Sequence, residues 1–157
     1  MDWIEELMID ARYGDAAAMY DLSKEYIKLR DKVLAYEWLQ KSAELDYAFA
    51  QEKLGSFELA KGNTDRAIYW WRRAMLHEGS TNWCRFNVGV LLAKKGDFEE
   101  AIDLWRPSAD LGHDDATCNI AQALKKLGRN DESRKVRDSL DHLEHPPTKH
   151  RMHGLLK

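Results

Sequence analysis

The chain has 157 residues, enough for an ordinary domain to bury a core without disulfide or metal staples. Hydrophobic residues make up 44% and charged residues 32%, which excludes a wholly disordered chain; a mean hydropathy of −0.63 and the lack of an apolar run approaching about 18 residues exclude a membrane-spanning helix. With 24 Lys and Arg against 27 Asp and Glu, the net charge of −3 leaves no basic excess to displace counterions from nucleic acid, so wholesale electrostatic DNA binding is disfavoured.

The N-terminus, MDWIEELMID, is acidic from its start and has no basic region ahead of an apolar stretch. It does not read as a secretory signal, and a cytoplasmic location is the default expectation. Residues 2–13 carry an apolar stripe of Trp3, Ile4, Leu7 and Met8 that ends at Gly14, which predicts a leading helix that caps the N-terminal side of the domain.

From there the chain repeats itself. Leu22 is followed by Ser23, Leu54 by Gly55, Val88 by Gly89 and Ile120 by Ala121, at successive spacings of 32, 34 and 32. Ala35, Ala67, Ala101 and Ser133 keep the same spacings, as do the turn positions Arg30, Gly62, Gly96 and Gly128. Each unit reads as two helices. The first carries faces such as Ala18, Leu22, Tyr26 or Ala116, Ile120, Leu124; the second carries stripes such as Ala101, Leu104, Trp105, Ala109. Small residues at fixed places let the two helices approach closely, so a larger side chain at Gly55 or Gly89 should push a pair apart. Asp97, with Glu100 three places on, predicts a capping box, and Pro107 predicts an interruption of the third unit's second helix. The expectation is one all-α domain over 1–145, with repeats at about 15–46, 47–79, 80–112 and 113–145 turning at Arg30-Asp31, Gly62-Asn63, Gly96-Asp97 and Gly128-Arg129. Trp38, Trp70 or Trp71, and Trp105 occupy comparable places on successive second helices and are expected to be largely buried. After Leu143 a double proline stops the helix, and 146–157 reads as a mobile tail.

This pattern resembles tetratricopeptide-type repeats and, among them, the Sel-one-like family, whose units pair an A-x-x-x-L-G-x-x-x-Y helix with a K-A-x-x-W-x-x-K-A-A helix. Ala18, Leu22, Ser23 and Tyr26 match the first motif, as in part do Ala50, Leu54 and Gly55. Ala35, Trp38, Lys41 and Ala43, then Arg66, Ala67, Trp70, Arg73 and Ala74, then Ala101, Trp105, Ala109 and Gly112 match the second. Glu58 departs from the pattern, standing where an aromatic belongs. The resemblance spans about residues 15 to 143 and implies a right-handed α-solenoid of four antiparallel helix pairs whose first helices line a concave groove.

Motifs of catalysis are absent: the sequence has no Gly-rich phosphate loop, GxSxG, HExxH or EF-hand loop, and neither an enzyme nor a cofactor is expected. Cys84 and Cys118 lack CxxC spacing and read as two buried thiols. His142, His145, His150 and His153 form two HxxH pairs that could in principle hold zinc, yet solvated histidines near a helix end explain them without metal. The Trp70-Trp71-Arg72-Arg73 run suggests base stacking, but both tryptophans fall on the repeat's packing positions.

What remains is the groove. In the repeat register it carries Tyr20, Lys24, Ile27, then Phe49, Glu52, Ser56, Leu59, then Trp83, Phe86, Val90, then Cys118, Gln122 and Lys125. Two half-exposed aromatics there would leave on the order of 200 Å² of apolar surface, several kcal/mol at roughly 25 cal/mol per Å². The expected function is therefore a non-catalytic protein-binding module whose groove takes a peptide segment or a folded partner. An immunity or antitoxin-type inhibitor of a toxin, or an adaptor or chaperone of a secreted protein, fits that reading. A nucleic-acid-associated regulatory module is the alternative; a membrane partner is not expected.

Overall fold

The computed structural model describes residues 3–77 and 82–140. Among them every regular element is an α-helix, nine in all: α1 (Trp3–Arg12), α2 (Ala16–Lys28), α3 (Lys32–Glu44), α4 (Ala48–Ala60), α5 (Thr64–Ala74), α6 (Asn82–Lys95), α7 (Phe98–Asp110), α8 (Asp114–Lys126) and α9 (Asn130–Asp138). Helix α1 is the leading helix, and α2/α3, α4/α5, α6/α7 and α8/α9 are four successive pairs of the helical-repeat class. The tail from 146 and its histidines lie outside the described residues. Contacts divide the chain into two compact units, Met1–Cys84 and Arg85–Lys157.

The first helix of every pair ends by the same device. After α2, the Arg30 N–H donates to the Ile27 carbonyl (3.0 Å) and the Asp31 N–H reaches back to the Tyr26 carbonyl (2.9 Å); both bonds recur at Gly62 and Asn63, at Gly96 and Asp97, and at Gly128 and Arg129. The first residue of each couple must take a positive φ, which glycine adopts freely. Arg30 adopts it too, at φ 61, although its Cβ opposes that conformation.

The second helices start in two ways. The Asp31 carboxylate caps α3 by accepting from the Leu34 N–H (3.0 Å), as the Asp15 carboxylate caps α2 by accepting from Ala17 (2.8 Å) and Ala18 (3.0 Å). The capping box expected at Asp97 is not formed: its side chain makes no cap bond. Asp97 sits instead at φ −82, ψ 63, an inverse γ-turn in which the Phe98 N–H already donates to the Gly96 carbonyl (2.9 Å). Asn63 and Arg129 repeat this geometry, with Thr64 and Asn130 donating to Gly62 and Gly128. A second correction concerns Pro107, which does not interrupt α7. Its missing N–H would have served the carbonyl of Asp103, and both residues are exposed, so water can take that bond.

Packing within a pair rests on one small residue facing one large one. Gly55 of α4 lies against the ring of Trp71 on α5, and Gly89 of α6 against Trp105 on α7. Both indoles are almost fully buried, at 1% and 2% exposure. Each indole N–H donates to a carbonyl three residues before its glycine, Glu52 and Phe86 respectively, at 3.0 Å. In the first pair the corresponding residues are Ser23 and Leu39, both buried. Trp38 is only half-buried, contrary to expectation. Its counterpart is Trp70, one residue short of the Trp71/Trp105 position. Trp38 packs beside the core formed by Ala11, Ala18, Met19 and Leu22 on α1 and α2, while Trp70 joins Leu39, Ala43, Ala50 and Leu54.

Candidate functional site

In unit 1, positions 49, 52, 53 and 56 of α4 share one face by helical spacing, next to the side on which Gly55 meets Trp71. With Tyr20 of α2 and Trp83 of α6, it lines an open cavity of about 330 Å³. The cavity gathers Tyr20, Phe49, Glu52, Ser56 and Trp83, all read from the repeat register as groove residues, and adds Lys53. The register reading omits Lys53 although its signal is present: it is four residues after Phe49 and three before Ser56, hence on their face.

The aromatic rings are held in place from behind. Trp83 meets the buried Trp71 edge-on, ring centroids 5.2 Å apart, yet remains 47% exposed. Phe49 is 58% exposed and leans on Tyr47 (5.7 Å), which in turn contacts Tyr20 (5.5 Å). Burial pushes the Tyr20 phenol up despite Lys24, so it stays neutral at physiological pH and offers a hydrogen-bonding OH. Lys24 is exposed, with its Nζ 5.0 Å from the centre of the Tyr20 ring and 2.5 Å from the Asp21 carboxylate. Ile27 and Leu59 are exposed but do not line the cavity. Such a wall, with fixed aromatic faces beside an ammonium and a carboxylate, can take apolar or aromatic side chains and orient polar ones at its rim.

Unit 2 presents its groove positions differently. Phe86 is half-buried against Trp105, centroids 6.3 Å apart; Val90 and Cys118 are buried; Gln122 is half-buried and Lys125 exposed. Cys84 and Cys118 are both buried and form no disulfide.

The Trp70–Arg73 run is occupied by structure. Trp70 and Trp71 are buried, and Arg73 pairs with Asp46 while lying over Tyr69 and Trp70 at 6.0 and 5.6 Å. Glu58 is the buried acid of unit 1, at 1% exposure. Its carboxylate accepts from the Tyr36 hydroxyl and from Asn63 Nδ2 (2.7 Å) and lies 3.3 Å from Arg66 Nε. Burial alone would raise its pKa, but these hydrogen bonds and the charges of Arg66 and Lys61 outweigh burial and hold the carboxyl below its usual range. With every oxygen engaged by structure, Glu58 is a packing acid. Among the described residues no group of three His, Cys, Asp or Glu could hold a metal ion, and no helix is long and apolar enough to cross a membrane.

Comparison with known proteins adds three findings. The family model described as Sel1 repeat matches residues 16–47, 48–75 and 86–113. No curated protein sequence matches the chain. Among solved structures, MamA AMB-1 superposes with a TM-score of 0.68 at 23% identity, covering 90% of this chain and 82% of that one. Another MamA crystal structure gives 0.65 at 23% identity over 83% and 79%. A Sel1 repeat protein from Oxalobacter formigenes gives 0.63 at 22% identity over 95% and 75%.

Proposed function

This chain belongs to the Sel1 repeat family, whose repeats serve as protein-interaction modules, and we propose that it is a non-catalytic binding protein whose first-type helices receive a partner protein. The observation that carries this is the cavity of unit 1, where Phe49 and Trp83 keep about half of their surface in water although each ring is fixed by another aromatic. Rings held rigid before binding lose little entropy on contact, which makes them effective anchors. Tyr20 contributes a hydroxyl, and Glu52, Lys53 and Ser56 give the cavity a polar rim that sets orientation. On the first-type helices of unit 2, Phe86, Gln122 and Lys125 offer further contact, whereas Val90 and Cys118 are buried. At the finer level we read the role as an immunity or antitoxin-type inhibitor, or as an adaptor or chaperone, with a toxin or a secreted protein as partner.

The test places a photo-crosslinking phenylalanine at position 49 or 83, and at Tyr69 or Leu76 of the second-helix side as controls, in the protein expressed in its own cell. A discrete protein adduct from 49 and 83 alone is the expected result. Adducts only from the control positions, or adducts with nucleic acid, would overturn the reading.

A further inference from the structure

Helix α1 is built as the second half of a pair. One step of 32 back from Ala35, Leu39, Ser42 and Ala43 of α3 lands on Trp3, Leu7, Asp10 and Ala11. The two helices also end alike. The Gly14 N–H donates to the Ala11 carbonyl (3.1 Å) and the Asp15 N–H to the Asp10 carbonyl (3.1 Å), as Asp46 does to Ala43 (3.2 Å) and Tyr47 to Ser42 (3.3 Å), with Gly14 and Asp46 both at positive φ. Helix α7 closes in the same way at Gly112 and His113. Among the described residues α1 packs on α2, the first helix of the next pair, through Ile4, Leu7, Met8 and Ala11. The face that a second helix turns to its own first helix is open in α1. Ala35, Leu39 and Ser42 of α3 are fully buried there, as are Ala67, Trp71 and Ala74 of α5. At the same places in α1, Trp3 is 49% exposed, Leu7 is half-buried and Asp10 is exposed, with the exposed Glu6 beside them.

The α2/α3 pair shows what fills such a face. Leu39 is matched there by a small residue, Ser23; the Ser42 hydroxyl donates to the Ala16 carbonyl in the first turn of α2 (2.6 Å); and Trp38 packs on the core that includes Met19 and Leu22. In α1 the places of Leu39, Ser42 and Trp38 hold Leu7, Asp10 and Glu6. Leu7 keeps the fit to a small residue. Asp10 faces the first turn of an antiparallel helix, where unpaired N–H groups and the positive end of the dipole favour a carboxylate. Glu6 puts an anion where the other pair has an aromatic ring, and a lysine or arginine in the place of Met19 answers it. A second copy of this face would set carboxylates against carboxylates, so the charge selects a different, basic occupant.

We propose that α1 docks a basic amphipathic helix of a partner protein in the place of a first-type helix, antiparallel to α1, with a small residue against Leu7, an apolar contact with Trp3 and a basic side chain beside Glu6. This is a second contact surface, since α1 contributes no residue to the cavity of Tyr20, Phe49 and Trp83.

The probe is a fluorescent synthetic peptide of residues 15–29, the chain's own first-type helix with its caps, carrying Met19→Lys, alongside the same peptide with Met19→Glu. In an anisotropy titration with the full chain, the lysine peptide should bind at least about tenfold more tightly than the glutamate peptide, and a Glu6→Lys chain should reverse that order. Trp3→Ala should weaken binding at least about tenfold, whereas Phe49→Ala should leave it unchanged. Trp3 and Glu6 are exposed, so circular dichroism should show both variants folded; if Trp3→Ala unfolds, the charge reversal at Glu6 decides. No binding at about 1 mM chain, or equal affinity for the two peptides, would overturn the proposal. Loss of binding in Phe49→Ala would overturn it too, by seating the peptide in the cavity, as would a dimer of the parent that Trp3→Ala dissolves, by seating a second copy on α1.

Discussion

A Cβ added at Gly55 would stand 2.5 Å from Cδ1 and Nε1 of Trp71, and one at Gly89 2.5 Å from Nε1 of Trp105, distances that no side-chain carbon tolerates. Because both indoles are buried and tied to a carbonyl, neither ring can swing away, so Gly55→Ala and Gly89→Ala should each cost about 2 kcal/mol in a urea melt. The Ser23/Leu39 combination of the first pair shows how the same space is shared otherwise. Gly55→Ser should therefore be less damaging when combined with Trp71→Leu than in the parent, a coupling that a double-mutant cycle measures. Arg30 supplies the opposite case. It holds a φ of 61 that the equivalent Gly62, Gly96 and Gly128 reach without strain, so Arg30→Gly should stabilise the chain by up to about 1 kcal/mol; a loss of stability would show that the arginine side chain contributes more than its backbone costs.

At the scale of elements, the repeat register told nearly everything that depends on spacing. Helix pairs turn at the couples read from the glycine series, because a positive-φ residue closing a helix leaves a strong mark in sequence. Less legible were features decided by a neighbour's geometry. Asp97 has the chemistry of a cap, but it sits in an inverse γ-turn and its carboxylate makes no cap bond. Trp38 carries the family's tryptophan, but a one-residue offset from the Trp71/Trp105 position puts it beside the core of α1 and α2, where it stays half-buried. Trp105 is the pin of the α6/α7 pair, and Trp105→Ala should cost roughly 3 to 5 kcal/mol, measured by denaturant; a loss under about 1 kcal/mol would show that the pair does not depend on this ring. Glu58 ties α4 to α3 and α5 through Tyr36, Asn63 and Arg66. Its carboxyl is held below the ordinary 4.5, so the stability it adds is complete above about pH 4.5 and disappears as pH falls through the lower folded value. The stability gap between the parent and Glu58→Gln should accordingly shrink as melts are repeated from about pH 6 down to about pH 3, and a gap that stays constant would mean that Glu58 does not titrate with folding.

At the scale of the whole molecule, periodicity could name the face on which a groove residue lies but not what else covers that face. Tyr20, Phe49, Glu52, Ser56 and Trp83 come together in one cavity because they share the first-helix face in unit 1, and Val90 and Cys118 share that face in unit 2 yet are buried. A net charge of −3, with ion pairs along helix surfaces such as Lys28 with Glu25 and Arg129 with Glu132, gives long-range attraction a small role, so affinity for a partner should depend on desolvated anchors. Phe49 and Trp83 are those anchors, since each combines large exposed apolar area with a ring already fixed by its neighbour. Phe49→Ala or Trp83→Ala should weaken binding of the crosslinked partner by about 2 kcal/mol, while Lys24→Ala, at an exposed ion pair with Asp21, should cost well under about 1 kcal/mol. Calorimetry on each purified variant reads the affinity, and circular dichroism must first show unchanged helicity, because Trp83 also contacts the buried Trp71. Truncation to leucine separates the two roles. Trp83→Leu keeps apolar bulk against Trp71 but removes the broad exposed face, so a folded Trp83→Leu protein with full affinity would show that the partner does not read this ring.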